Sequence, residues 1–196
     1  MRILDLGCGT GQELVSWGIS GSDEVTGIDI DDQRLSIARI RFPQRTYLHG
    51  AGENIPLPEA SIDRVICSVA LPYMNIPAAL REISRILVPG GRLSLSLHLP
   101  GFCLNELIHK AIPKPIPTLY RLYVISNGVI FHTSGKTIGF VNGRTESFQT
   151  ERGMKIALTR AGFTDFSFHR ENGPTGETFT VHSRKPDYST AHAASA

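Results

Sequence analysis

The sequence predicts an α/β protein: a doubly wound, mostly parallel sheet with helices on both faces. Three observations carry the prediction. Short apolar runs alternate with helix signals through the first hundred residues, the pattern of strands joined by crossover helices. The first run ends in Asp5-Leu6-Gly7-Cys8-Gly9-Thr10-Gly11 and passes directly into a helix start. A strand, a glycine turn and a helix N-terminus in succession let a ligand lie close against the main chain. The last two strand signals flank Gly173-Pro174-Thr175-Gly176, so they pair as a hairpin.

The elements follow in order. Strand one is expected over residues 2–6 and a helix over 12–18. Strand two covers 24–29. Asp31 or Asp32 then caps a helix running to residue 41, with Leu35, Ala38 and Phe42 on one face, and Pro43 stops it. Strand three, 46–49, is short and leads to a loop with Pro56 and Pro58. Strand four is 63–68. Pro77 opens the next helix in its first turn, where a missing N–H is tolerated. Leu80, Ile83, Ile86 and Leu87 form its buried stripe. Pro89-Gly90-Gly91 ends that helix. Strand five, 92–99, alternates Leu93, Leu95 and Leu97 with Ser94, Ser96 and His98.

Residues 101–149 break the alternation. A helix is expected over 102–111. Pro113, Pro115 and Pro117 interrupt, and the apolar stretch 118–132 reads as a second helix before a loop with Gly135, Gly139 and Gly143. The segment is expected to be a lid-like insertion over the sheet. Phe102, Leu104, Leu107, Leu119, Leu122, Tyr123, Phe131 and Phe140 make it apolar, which suits a small, partly apolar ligand. Thr150 caps a helix over 151–161 that Gly162 closes. The final strands are 163–170 and 177–184. Residues 1–185 thus form a single domain, and 186–196, small and polar, form a disordered tail.

Composition narrows the function. With 196 residues, 41% hydrophobic and 19% charged, the chain can bury a full core. The net charge is +2 with Lys and Arg scattered, which argues against nucleic acid and against an anionic membrane. Cys8, Cys67 and Cys103 are odd in number and far apart, so they are expected as free thiols in a reducing compartment, with no metal site. No apolar run reaches the ~20 residues that cross a bilayer. Met1 leads straight into a structural strand, which leaves no leader peptide. The expectation is a cytoplasmic protein.

The glycine turn is the chemical centre. In a doubly wound sheet it stands at the carboxyl edge, beside the point where strand order reverses. Asp29 ends strand two on that edge, about twenty residues after the turn, where a carboxylate accepts hydrogen bonds from two ribose hydroxyls. The dinucleotide fingerprint needs its third glycine one residue later, where this chain has Gln12, so a pyrophosphate ligand is poorly supported.

Asp5-Leu6-Gly7-Cys8-Gly9-Thr10-Gly11 resembles instead the first motif of class I S-adenosylmethionine-dependent methyltransferases, of the type 11 kind. The resemblance extends to Gly52-Glu53-Asn54-Ile55-Pro56-Leu57, to Ser61-Ile62-Asp63-Arg64-Val65-Ile66-Cys67-Ser68, and to the helix and turn from Leu80 to Leu93. It covers residues 1 to about 98, and the terminal hairpin fits the family's last two strands. It implies a Rossmann-like sheet of seven strands, the last antiparallel. It implies S-adenosyl-L-methionine as cofactor, the methionine part passing Gly7, Cys8, Gly9, Thr10 and Gly11, with Asp5 supporting the turn or the amino group. Asp29 would hold the ribose, Ile30 would lie against the adenine, and the Gly52-Glu53 backbone would meet the adenine edge. Ser68 and Val69 would sit near the sulfonium.

There are departures. Ala51 stands where many relatives have an acid, and Pro72 where many have a histidine. The family carries helices ahead of its first strand, and this sequence begins at that strand, so either the recorded start is too late or the pocket is unusually open. Ala70-Leu71-Pro72-Tyr73 lacks the polar residue and first proline of the Asp/Asn-Pro-Pro-aromatic motif of base-amine methylation, which again argues against a nucleic-acid acceptor. Tyr73 is then a candidate acceptor contact. His98 is a candidate general base, with packing under the insertion as its plain alternative. His49 reads as structural. Three functions remain from these residues: methyl transfer to a small-molecule acceptor, a catalytically inactive cofactor-binding or scaffold protein with the same fold, or a nicotinamide-dependent oxidoreductase, which Gln12 disfavours.

Overall fold

A computed structural model describes residues 1–12, 14, 17–98, 115–140, 145–173 and 176–187. Its strands are β1 (Arg2–Leu6), β2 (Glu24–Asp29), β3 (Thr46–His49), β4 (Ile62–Ser68), β5 (Leu87–His98), β6 (Thr164–Gly173) and β7 (Gly176–Arg184). Its helices are α1 (Asp32–Arg41), α2 (Ile76–Ile86), α3 (Pro115–Ser134) and α4 (Glu151–Arg160). The strands form one sheet of order β3-β2-β1-β4-β5-β7-β6. β1 to β5 run parallel, and β7 lies antiparallel between β5 and β6. The chain builds outward from β1 to β3, then returns to place β4 on the other side of β1. The switch point is therefore between β1 and β4.

Helices cover both faces. On one, Leu4, Leu6, Ile28, Val65, Leu93, Leu95 and Leu97 pack with the buried stripe of α2, Leu80, Ile83 and Ile86, and with Met154 and Leu158 of α4. Each such side chain contributes about 1.5–3 kcal/mol on burial. On the other face, Leu35 and Ala38 of α1 pack against Cys8 and Tyr47. Asp31 caps α1 by accepting from the N–H of Gln33 and Arg34, and Asn75 caps α2 by accepting from Ala78.

Several boundaries differ from expectation for local reasons. β5 begins at Leu87, not residue 92. The Pro89-Gly90-Gly91 stretch is a bulge within the strand, with Gly90 at φ +76°: Gly90 N–H donates to Lys185 O at 3.0 Å and Lys185 N–H to Gly91 O at 2.9 Å. Ile62 pairs with Leu87 and Arg64 with Arg92, so four residues bulge opposite Asp63. β4 starts one residue early, and β6 runs to Gly173. Pro115 and Pro117 do not interrupt the middle segment; they open α3, where the first turn has no intrahelical N–H bonds to lose.

In the described part of 101–149, α3 packs against α4. Phe131 of α3 packs onto Gly153 of α4, where an added Cβ would meet its ring at 2.7 Å. Asn127 fastens the following loop, accepting from Ile138 N–H and donating to Ile138 O and Glu146 O. The expected helix over 102–111, most of the tail and part of the expected 12–18 helix lie outside the described residues.

Candidate functional site

The glycine turn is pinned before any ligand arrives. The N–H groups of Gly7 and Cys8 both donate to Ile28 O, at 2.7 and 3.1 Å, which ties the end of β1 to β2. Gly7 has φ +73°, and a Cβ there would come within 2.2 Å of the Ala70 Cβ, so the loop after β4 approaches closely over the turn. Gly9 N–H donates to Asp29 Oδ2 at 2.8 Å. Asp31 N–H donates to Asp29 Oδ1 at 2.9 Å. Asp29 is thus a latch between the turn and the start of α1. A carboxylate offers about four lone-pair positions, so two remain for a ligand.

Above the turn lies a continuous cleft with two lobes. The first, about 560 Å³, is lined by Gly7, Cys8, Gly9, Thr10, Gln12, Asp29, Arg34, Ser68, Val69, Ala70 and Tyr73. The second, about 390 Å³, shares Gly7, Asp29, Arg34, Ala70 and Tyr73, and adds Ile30, Ala51, Gly52, Glu53 and Met74 among others. Both open at the carboxyl ends of β1, β2 and β4.

Of the residues expected from sequence, Gly7, Cys8, Gly9, Thr10, Asp29, Ile30, Gly52, Glu53, Ser68, Val69 and Tyr73 come together here. Two do not reach the cleft. Asp5 is buried on β1 opposite Gly27, and Gly11 faces inward, toward the Tyr47 hydroxyl and the Phe42 ring. Both stand under the turn because β1 enters the core before the chain climbs out again. His98 closes β5 at the same sheet edge, opposite Thr178.

Individual geometries are informative. Glu53 accepts from Asn75 N–H at 2.6 Å, so its side chain serves the entry to α2 and leaves its backbone to the second lobe. Ser68 Oγ accepts from Trp17 Nε1 at 3.0 Å. Val69 has φ +59°, a costly conformation for a β-branched residue, and its N–H bonds to Ser96 O at 2.8 Å. Strain of this kind gathers at sites of function. Burial, with the Asp5 and Asp29 charges behind it, pushes the Cys8 thiol up to about 12. Cys8 is therefore a protonated wall of the cleft, not a nucleophile.

Sequence reasoning missed Arg34, Ala70 and Met74. Arg34 lies three residues after the cap Asp31, with its Nε 3.4 Å from the Asp31 carboxylate, and that helical spacing could have placed it beside the turn. Met74 lies against Gly52, with Sδ 2.5 Å from where a Cβ would stand, a contact between distant segments that no local pattern announces.

Among the described residues, no group of three or more His, Cys, Asp or Glu is placed to hold a metal ion. No described helix is long and apolar enough to cross a membrane.

Comparison with known proteins gives a similarity over the first half of the chain. Residues 4–95 match the family model described as a methyltransferase domain. An uncharacterized methyltransferase of Synechocystis is 42% identical over 105 residues, 51% of this chain and 49% of the relative. The malonyl-[acyl-carrier protein] O-methyltransferase of Erwinia pyrifoliae is 37% identical over 102 residues, 52% of this chain and 38% of that protein. The matched stretch thus spans half or less of these relatives' length. The solved S-adenosylmethionine-dependent methyltransferase of Mesorhizobium loti superposes with a TM-score of 0.63 at 23% identity, covering 93% of this chain and 90% of the other, and so shares the fold. Residues 4–95, the stretch that matches the methyltransferase-domain model, build both lobes of the cleft.

Proposed function

We propose that the chain transfers a methyl group from S-adenosyl-L-methionine to a small-molecule acceptor. The observation that carries this reading is the Asp29 latch. Its carboxylate holds the glycine turn with one oxygen and α1 with the other, and keeps lone pairs for two ribose hydroxyls between the lobes. The ribose position fixes the rest. The Gly7–Gly9 main chain takes the methionine part in the first lobe. Ile30 and the Gly52-Glu53 backbone take the adenine in the second.

The bound cofactor supplies a methyl group already activated on a sulfonium. The residues of the chain then have two tasks: aligning the acceptor and excluding water. Ser68 and Val69 stand at the end of β4 beside the glycine turn, which is the sulfonium position in this reading. Val69 is held there by its bond to β5. Tyr73 lines both lobes at their mouth and is the proposed acceptor contact. Alignment alone is worth about 7–11 kcal/mol of barrier in favourable cases. His98 at the end of β5 is the proposed base for acceptors that hold a proton near neutral pH.

A second reading is favoured by one observation. Ile30 is 71% exposed and Tyr73 56% exposed, so the adenine and acceptor positions are open to water. A cofactor-binding protein without turnover fits that openness.

Calorimetry with S-adenosylmethionine, its demethylated product and NAD tests the cofactor. The methyl donor and its product are expected to bind, and NAD to show no heat. Binding of NAD alone would sink the methyltransferase reading. An acceptor panel then separates the two functions. It includes malonyl thioesters, because one relative is named for the malonyl group. Donor binding without turnover on any acceptor would favour the second reading.

A further inference from the structure

Three arginines stand in a row across the sheet, away from the methyl-donor cleft. Arg64 of β4 is the parallel partner of Arg92 of β5, and Arg92 is the antiparallel partner of Arg184 of β7. Directly paired positions share a face, so the three side chains leave the sheet side by side. The adjoining row pairs Ser94 with His182. Ser94 is buried, and its hydroxyl lies 3.1 Å from His182 Nδ1 and 3.4 Å from a guanidinium nitrogen of Arg64. These residues line an open cleft of about 550 Å³.

Like charges directly opposite on neighbouring strands destabilise a sheet. Among the described residues the repulsion is offset only in part, by the Asp23 charge acting on Arg64. Asp165 is the one carboxylate among the described lining residues, and no ion pair joins any described carboxylate to Arg64, Arg92 or Arg184. Burial first, then the Arg92 charge, pulls the Arg64 guanidinium down from its ordinary value. A small polyanion seated between the guanidinium groups would turn that repulsion into charge-assisted hydrogen bonds. A carboxylate has too few oxygens to serve three arginines from three strands. Phosphoryl oxygens match both their number and their fork geometry. The bounded cleft and the net charge of only +2 favour a small molecule over a nucleic-acid strand.

We infer that this cleft binds a phosphoryl-bearing small molecule, with Arg64, Arg92 and Arg184 donating to the phosphate oxygens and the Ser94–His182 pair at its base.

The chain carries its own reporter. Trp17 is the sole tryptophan of the sequence. The Arg64 guanidinium lies 5.8 Å from its ring centroid, and the His182 ring stands edge-on at 6.1 Å. Inorganic pyrophosphate titrated into the full 196-residue chain, without methyl donor, is expected to shift Trp17 fluorescence saturably with one site per chain. The double variant Arg92→Gln/Arg184→Gln is expected to bind roughly tenfold or more weakly, the equivalent of at least one lost charged hydrogen bond. The single variant Arg184→Gln should fall between. Because each variant relieves repulsion, neither should melt below the native chain. No saturable binding by fluorescence and calorimetry would overturn the proposal. So would unchanged affinity in either variant, which would put the anion elsewhere. A fall in melting temperature in both variants would also overturn it, by showing that the row holds the sheet together.

Discussion

The first lobe of the cleft above the glycine turn and the arginine cleft are almost equal in size, about 560 and 550 Å³, and are built in contrasting ways. The proposed methyl-donor cleft is organised around main chain. At its centre are the glycine turn and a carboxylate already bonded to one amide of that turn and one at the start of α1. The arginine cleft is made of long side chains raised from paired positions on three strands. In the first, the recognition groups are fixed by the backbone and meet the ligand at little further entropic cost. In the second, each guanidinium must be ordered, and the proposed anion would relieve the repulsion among them. Trp17 touches both regions, donating to Ser68 of one and packing beside Arg64 and His182 of the other.

The sharpest break of that contrast is made within the glycine turn. Gly7→Ala places a Cβ at positive φ and 2.2 Å from the Ala70 side chain. Left-handed backbone and overpacking together should cost about 2–5 kcal/mol of stability. Gly9 has φ +51°, and its nearest neighbour is Arg34 at 3.9 Å, so a Cβ there points into open cleft. Gly9→Ala should cost only about 1–2 kcal/mol of stability. It should still remove most donor binding, because the added methyl occupies the ligand's place. Denaturant melts and calorimetry on both variants read the two effects separately. Equal losses of stability would show that the turn is not divided into a packing glycine and a binding glycine.

Asp29→Ala is next in size. It deletes the proposed ribose acceptor and the latch on Gly9 and Asp31. Donor affinity is expected to fall by about 1–3 kcal/mol, the scale of a hydrogen bond to a charged group. Titration calorimetry measures it, and an unchanged dissociation constant would place the ribose elsewhere.

The same contrast explains what the sequence made legible. Gly7, Gly9 and Asp29 act through local geometry, so a strand, a turn and an acid at the right spacing announce them. The sheet order follows from alternating strands and helices, and the hairpin from its glycine turn. Leu87 was misplaced because Pro89-Gly90-Gly91 ends helices far more often than it starts strands. Bonds to Lys185, almost a hundred residues on, help to hold it in the sheet. Met74 became a wall of the cleft by approaching Gly52 across the sheet edge. Arg64, Arg92 and Arg184 are scattered basic residues in the chain and become a row only through register. Long-range pairing decides such sites, and a single sequence does not display it.

The smallest expected effect lies at the base of the arginine cleft. Burial, then the neighbouring His169 and Arg64, lowers the His182 pKa from its ordinary 6.5. Phe179 and Val181 hold β7 to the core, and the His182 ring lies 3.1 Å from the Ser94 hydroxyl. The folded chain therefore keeps His182 neutral where the unfolded chain has begun to take up a proton. In that window the unfolded state binds more protons, so stability rises with pH and is lost as pH falls below 6.5, levelling once the folded form also protonates. The ring is only partly buried, so the slope is shallow. His182→Gln should flatten it, as measured by melting temperature between neutral and mildly acidic pH. Pyrophosphate should reverse the slope in the native chain, because an anion among the arginines favours the imidazolium. A slope unchanged by both the substitution and the anion would separate His182 from the cleft it lines.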